Sequence, residues 1–117
     1  MGLTHVEGKV TGSGGKQTTV QFLVDSGATY TILPFKDWQA IDLEPKRSLV
    51  FTLADGTTIE RQVSECHIAL AEGEGHTPVI LGRPGDEPLL GTVTLEILGL
   101  ILNPFTRTLH PMRMLLA

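Results

Sequence analysis

The 117-residue chain has a single cysteine and no run of basic residues. One cysteine, Cys66, cannot close an intramolecular disulfide, so the sequence fits a reducing compartment and we predict a cytoplasmic protein. Nine Lys and Arg residues against thirteen Asp and Glu residues give a net charge of −4. This charge balance disfavours a protein that binds the phosphate backbone of a nucleic acid, and we expect no nucleic-acid partner.

Long apolar runs are also missing. Residues 1–7 have neither the basic start nor the apolar core of a signal peptide. The most apolar segment, residues 89–102, is shorter than a membrane-spanning helix and is interrupted by Glu96. We therefore expect a soluble protein with no membrane partner.

What is present suits one small domain that is rich in strands. A length of 117 residues is enough for one compact domain and too short for two, so we predict a single domain over residues 1–117. The 41% of hydrophobic residues is typical of a globular chain. Thirteen glycines and seven prolines, scattered without a period, favour short strands joined by turns over long helices.

Alternating apolar residues predict the strands, and Asp55-Gly56 between two alternating runs predicts a tight hairpin turn. The predicted strands are residues 5–10, 17–24, 49–53, 59–63, 66–70, 77–81, 100–102 and 108–112. Residues 72–75 are expected to interrupt the sheet. Two short helices are predicted at residues 34–41 and 92–98, the second with Val93 and Ile97 on one side.

Asp25 is the residue that most strongly suggests chemistry. It follows the apolar run Phe22-Leu23-Val24 directly and precedes Ser26-Gly27. A carboxylate at the end of a buried strand loses hydration, so it must be hydrogen-bonded or held there for use. Asp-Ser-Gly is also common in simple turns, and the tripeptide alone leaves both interpretations open.

Three segments in order resemble the retropepsin-like (retroviral-type) aspartic proteases, in particular their small microbial relatives. The first is Asp25-Ser26-Gly27-Ala28 with Thr31-Ile32-Leu33-Pro34, which is similar to the catalytic loop of that family. The second, residues 53–59, looks like its flap hairpin, and the third, residues 88–98, looks like its apolar-apolar-Gly segment and single helix. The resemblance implies an all-β, closed or partly open acid-protease β-barrel with one or two short helices and one lobe per chain.

The resemblance also implies an activity and a partner. Aspartic proteases, the standard example of paired carboxylates, use two acids that share one proton to activate a water molecule. No other acid in the chain follows an apolar strand as Asp-Ser-Gly does, so one chain brings one such carboxylate. We therefore expect a homodimeric endopeptidase in which a second copy supplies the other Asp25, with peptides as substrates.

The resemblance assigns roles by position, with Asp25 as the catalytic residue. Ser26 and Gly27 would support the catalytic loop. The substrate-binding positions would be Ala28, Thr29, Tyr30, Ile32, Leu53, Ala54, Asp55, Gly56, Leu89 and Leu90.

Three positions depart from the viral pattern. Thr29 and Tyr30 stand where the viral enzymes usually carry acids that hold the substrate backbone, and Thr92 stands where they usually carry an arginine. These changes leave an alternative open, a module with the protease fold that binds peptides or regulates without cleaving them. An unrelated small β-barrel adaptor is a third hypothesis, and it requires the ordered match to be coincidence.

The remaining candidate groups have simpler interpretations. The four histidines show no metal-ligand spacing, so we expect no metal and no cofactor. Cys66 is expected to be buried and inert. Asp55 fits an Asp-Gly turn better than a contact that shapes specificity. Asp86 and Glu87 are neighbours on one loop and are expected to be solvated.

Residues 100–110 are expected to form a hairpin on the core, with the amino-terminal strand or the tail in the dimer interface.

Overall fold

Nine strands and two short helices make up the secondary structure of residues 3–113 and 115–116, which the computed structural model describes. In chain order they are β1 (His5–Thr11), β2 (Gln17–Val24), β3 (Thr31–Leu33), α1 (Phe35–Ala40), β4 (Arg47–Thr52), β5 (Thr58–Leu70), β6 (Gly73–Leu81), β7 (Leu89–Leu90), α2 (Thr92–Ile97), β8 (Leu100–Asn103) and β9 (Thr108–Pro111). The predicted all-β fold class, with two short helices, is confirmed. Within the described part of the chain, neither helix has the length and apolarity needed to cross a membrane.

The strands form a barrel and a separate hairpin. Seven strands make one sheet in the order β1-β2-β7-β3-β6-β5-β4. Because β1 also pairs with β5, six of these strands close a ring and β4 lies outside it. Strands β8 and β9 pair with each other as the second sheet.

Alternating apolar side chains fill the barrel. In β2, Val20, Phe22 and Val24 are buried while the residues between them are exposed or half-buried. Burying a side chain of this size stabilises the fold by roughly 1.5–3 kcal/mol relative to leaving it in water. Leu95 from α2 and Ile41 at the end of α1 complete the same core. The core thus holds together the ends of β2 and α2, between which the candidate site lies.

Strand order decides where the candidate loop lies. β7 runs parallel to β2 and antiparallel to β3, so it lies between them. The connection from β2 to β3, residues 25–30, therefore crosses the end of β7. Helix α2 begins two residues after β7 ends, which places its first turn under that connection.

Two predicted boundaries in the sheet are wrong. Residues 59–63 and 66–70 belong to one continuous strand, β5, because Val63 and Ser64 are both buried and the alternation changes phase there. The predicted break at 72–75 is shorter and lies earlier, since only Ala71 and Glu72 separate β5 from β6, which begins at Gly73. A Cβ at Gly75 would lie 3.2 Å from Cδ2 of Leu98, so a glycine in the strand leaves room for the residue that follows α2.

The buried residues of α2 and β8 show which of their faces meet the core. Helix α2 buries Thr94 and Leu95, while Ile97, on the side that it shares with Val93, is 45% exposed. Residues 100–102 are predicted from sequence as a buried strand, and this is wrong for part of β8, since Leu100 is buried but Ile101 is 55% exposed. The tail hairpin itself is confirmed, and it packs one face on the core while the other remains open to solvent.

Candidate active site

Asp25 follows the last residue of β2 and begins a tight turn. Its backbone N–H donates to the carbonyl of Leu90 in β7 (3.1 Å), and its own carbonyl accepts from the N–H of Ala28 (3.1 Å). The carboxylate is half-buried, and its Oδ1 accepts a hydrogen bond from the N–H of Gly27 (2.9 Å). A carboxylate oxygen that accepts from a backbone N–H is held in a fixed orientation. The acid is therefore held by its loop and still reaches the surface.

Helix α2 fixes the other end of the loop. The first N–H groups of a helix have no partner within it. Here Thr92 donates to the carbonyl of Ala28 (2.9 Å) and Val93 to that of Thr29 (3.0 Å). Thr92 and Thr29 replace the arginine and the acid expected of the viral enzymes, so backbone hydrogen bonds join the two segments where that resemblance implies an ion pair.

Three buried threonines under the loop were missed by the sequence prediction. Thr31, Thr77 and Thr94 are each at most 1% exposed, and their hydroxyls form hydrogen bonds with one another. Threonine is common on strand surfaces, so its presence in β3 and β6 gave no signal. Thr94 gave no signal either, because the face of α2 that meets the core depends on elements far away in sequence.

The hairpin of β4 and β5 ends in the predicted Asp-Gly turn. Gly56 adopts φ +87°, a left-handed conformation that glycine reaches without strain, and its N–H donates to the carbonyl of Leu53 (2.9 Å). Oδ1 of Asp55 accepts from the backbone N–H and the hydroxyl of Thr57, and these bonds lower the pKa of Asp55. The carboxylate thus forms the turn, as predicted, while Ala54 beside it is exposed.

An aromatic contact joins this hairpin to the candidate loop. The rings of Tyr30 and Phe51 meet edge to face, with their centroids 5.9 Å apart. Tyr30 ends the loop that starts at Asp25, and Phe51 lies two residues before the turn of the hairpin. This contact holds the hairpin beside the loop.

Among the predicted substrate-binding positions, the structure pairs Ile32 with Leu89, leaves residues 53–56 exposed at the hairpin turn, and excludes one position. Leu89 pairs with Ile32 across β7 and β3, and both side chains are half-buried beside the loop. Leu90, however, is 0% exposed and belongs to the barrel core, so its side chain cannot line a cleft. What Leu90 contributes to the site is its carbonyl, which accepts from Asp25. The predicted loop residues Ser26 and Gly27 lie at the surface.

Asp86 is paired rather than solvated, which corrects the prediction for its loop. Its Oδ2 accepts from Nη1 of Arg61 (2.6 Å) and from the backbone N–H of Arg83 (2.8 Å). The hydrogen bond from Arg61 is the main cause that lowers the pKa of Asp86. The pair ties β5 to the loop that leads into β7.

Cys66 is buried as predicted, at 2% exposure. Burial is the main cause that raises the pKa of its thiol to about 12, with a smaller effect of Glu65. Because the thiolate is the reactive form, this cysteine is unreactive at neutral pH.

Comparisons with known proteins agree with this architecture. The family model described as "gag-polyprotein putative aspartyl protease" matches residues 10–96, which include the Asp25 loop, the hairpin and β7. Among solved structures, the solution structure of Simian Foamy Virus (mac) protease is similar, with a TM-score of 0.58 and 21% identity over 79% of this chain and 91% of that one. A search of curated proteins found no match. The fold is thus that of the retropepsin-like proteases, and the chain belongs to the family of retroviral-type aspartyl proteases.

Proposed function

We propose that this protein is an aspartic endopeptidase that acts as a homodimer, in which Asp25 of each copy activates one water molecule. The observation that carries the proposal is how Asp25 is held. Its half-buried carboxylate lies at the end of a core strand and accepts from the N–H of Gly27, while its backbone N–H donates to the carbonyl of Leu90. A simple turn needs only the bond from Gly27, whereas catalysis needs an acid that is held in a fixed place and still reaches the surface.

The other four aspartates of the chain have different roles, which supports the need for a second copy. Asp37 is buried in α1, and Asp42 forms an ion pair with Lys16 (2.8 Å). Asp55 forms the hairpin turn and Asp86 pairs with Arg61. One chain therefore offers Asp25 alone, and a two-fold axis beside it would bring the same residue of the partner.

Two such carboxylates perform hydrolysis by sharing one proton. At a separation of about 3 Å they cannot both ionise, so one is ionised and the other protonated. The ionised acid takes a proton from water as general base, and the protonated acid donates a hydrogen bond to the carbonyl of the scissile bond. The water oxygen then adds to that carbonyl, and the bond to the amine breaks when the acid that took the proton from water gives it to the nitrogen.

Exposed apolar residues support an interface near the site. Leu3 is 68% exposed, and the next residue, Thr4, accepts a hydrogen bond at its carbonyl from Val24, the neighbour of Asp25. Ile97 on α2 and Ile101 on β8 are also exposed. An obligate dimer buries apolar surface of this kind, in total above about 1,000 Å². We propose that the amino-terminal segment and the β8–β9 hairpin meet their counterparts in the second copy.

The substrate would lie extended between the loop and the hairpin. Extended peptides bind through main-chain hydrogen bonds, while pockets select alternate side chains. Ile32 and Leu89 are half-buried apolar residues that suit such pockets, and residues 53–56 of each copy would cover the peptide. Closure of the hairpin would then exclude water from the scissile bond, other than the molecule that attacks it.

The test is digestion of an unfolded protein by the wild type and by Asp25→Asn, with a pepstatin-type inhibitor as a further arm. We expect cleavage by the wild type alone, blocked by the inhibitor, together with a dimer in sedimentation. Equal cleavage by both proteins would remove Asp25 from the mechanism. Peptide binding without cleavage would favour the regulatory module.

A further inference from the structure

The buried threonines form a continuous chain of hydrogen bonds that begins at the Leu90–Gly91 peptide. The N–H of Gly91 donates to Oγ1 of Thr31 (3.0 Å). Oγ1 of Thr31 lies 2.6 Å from Oγ1 of Thr94, which lies 2.8 Å from Oγ1 of Thr77. Thr77 in turn donates to the carbonyl of Pro78 (3.2 Å). The chain thus joins β3, α2 and β6 inside the protein.

One arrangement uses every hydroxyl hydrogen of this chain. A hydroxyl has one hydrogen to donate. In this arrangement Thr77 donates to Pro78, Thr94 to Thr77 and Thr31 to Thr94, and Thr31 accepts from Gly91. All three hydroxyls are then satisfied with their dipoles aligned, and aligned hydrogen bonds strengthen one another in a medium of low dielectric constant.

The first bond of the chain orients the peptide group that holds Asp25. The carbonyl of Leu90 and the N–H of Gly91 belong to one peptide plane, which is rigid. The carbonyl of Leu90 accepts from the N–H of Asp25, and the N–H of Gly91 donates to Oγ1 of Thr31. A rotation of the plane would break both bonds together, so Thr31 governs the direction in which Leu90 holds the catalytic loop.

We propose that Thr31 and Thr94 are positioning residues for the reaction, acting on Asp25 through the Leu90–Gly91 peptide. This inference rests on the proposed function, since it concerns the placement of the catalytic acid. Two carboxylates from different copies must meet within hydrogen-bonding distance, and a shift of about 1 Å in such a constellation lowers the rate by up to about 100-fold. The hydroxyl chain braces the loop from the core side, where substrate and partner do not reach.

The experiment separates the hydroxyl from the shape of the side chain. Thr31→Val keeps the shape and removes the hydroxyl, and Thr31→Ser keeps the hydroxyl and removes a methyl group. We expect kcat to fall about 10- to 100-fold in Thr31→Val with KM within about twofold, and to stay near the wild-type value in Thr31→Ser despite a lower melting temperature. Thr94→Val removes the acceptor of Thr31 and the donor to Thr77 but leaves the bond from Gly91 to Thr31 in place. It should show a smaller loss in the same direction, and it replaces Thr31→Val if that variant does not fold.

Ser64 supplies the matched control. It is a buried hydroxyl residue, 2% exposed, whose Oγ has no hydrogen-bond partner among the residues that the structure describes. Ser64→Ala should leave kcat unchanged. The proposal is overturned if Thr31→Ser loses as much kcat as Thr31→Val, or if kcat follows melting temperature across the whole set.

A second measurement keeps this inference separate from the proposed function. Amide hydrogen exchange at Asp25 and Gly91 reports the two bonds of the Leu90–Gly91 peptide without any need for catalysis. We expect both amides to exchange at least about tenfold faster in Thr31→Val than in Thr31→Ser. If the wild type cleaves nothing but this difference is found, the proposed function fails and the bracing of the Asp25 loop stands. Equal exchange in the two variants would contradict the bracing, whatever the activity.

Discussion

Gly91, the residue before α2, packs directly against the backbone of the candidate loop. A Cβ at this position would lie 2.6 Å from the carbonyl carbon of Tyr30 and 2.7 Å from the carbonyl oxygen of Thr29. Both are backbone atoms that cannot move without breaking the hydrogen bonds of the loop. Gly91 is therefore required because a side chain would not fit here. Its backbone conformation does not require glycine, since its φ lies outside the left-handed region.

We expect Gly91→Ala to lower the free energy of unfolding by about 1–3 kcal/mol, the usual range for overpacking. Peptidase activity should fall further than stability alone explains, because the loop that carries Asp25 must shift. Gly14→Ala is the control, since a Cβ there has no atom within 4 Å and the residue is exposed. Denaturant unfolding of both variants measures the difference, and equal stability of the two would contradict the close packing of loop and helix.

The Arg61–Asp86 pair makes part of the stability depend on pH. The pKa of Asp86 lies below its ordinary value of 3.8, mainly because Arg61 donates to its carboxylate. A lowered pKa in the folded state adds stability above the unfolded pKa, and this is lost as the pH falls through the folded pKa. We expect Asp86→Asn to lower the free energy of unfolding by about 1 kcal/mol at pH 7, and by less at a pH well below 3.8. A loss that is equal at both pH values would show that the charge of Asp86 has no part in it.

At the scale of elements, the hairpin of β4 and β5 is connected to the loop by one aromatic pair. Tyr30 and Phe51 meet edge to face, an arrangement that contributes about 0.5–1.5 kcal/mol beyond its buried area. The turn beyond Phe51 is exposed at every residue from 53 to 57. The pair thus sets how closely the hairpin approaches the loop before any substrate binds.

We expect Phe51→Ala to raise the KM for a peptide several-fold and to speed amide exchange in residues 53–57, with a smaller effect on global unfolding. Val50→Ala is the control, because Val50 is the neighbouring residue on the same strand and is 66% exposed. The peptide KM and the amide exchange rates of residues 53–57 are measured on both variants. If Phe51→Ala behaved as Val50→Ala does, the aromatic pair would have no role in positioning the hairpin.

The elements also show how far the sequence could predict this fold. The alternation in β1 and β2, the Asp-Gly turn and the loop after β2 were predictable, because local periodicity and turn chemistry decide them. The length of β5 was not, since both of its faces are buried where Val63 and Ser64 cross from the hairpin into the barrel. From the sequence Gly75 predicts a break in the strand, because the packing of a glycine against the end of α2 depends on a distant element. The threonine chain was missed for the same reason, as its members are 17 to 63 residues apart in sequence.

At the scale of the whole molecule, the β8–β9 hairpin exposes an apolar surface that packing within a single chain does not explain. Ile101 is 55% exposed and Phe105 is 88% exposed, while the opposite face of the hairpin packs Leu100 and Leu109 into the core. An apolar patch at this position suits a self-complementary contact between two copies.

We expect Ile101→Glu to weaken dimerisation at least about tenfold, because it places a charge in an apolar contact. Val50→Glu introduces the same charge at a similarly exposed apolar residue on the β4–β5 hairpin, and should dissociate the dimer less. Sedimentation over a range of protein concentrations distinguishes them. An unchanged dimer in Ile101→Glu would remove the tail hairpin from the interface.

The central claim, that two copies of Asp25 make one site, is tested most directly by mixing. Wild type and Asp25→Asn are combined in equal amounts, allowed to exchange subunits, and assayed at a fixed total concentration well above the dissociation constant of the dimer. If both carboxylates are needed, only dimers with two wild-type chains cleave, and the activity should be about a quarter of that of the wild type alone. An activity of about one half, proportional to the wild-type chains present, would mean that each chain cleaves by itself and would contradict the shared site.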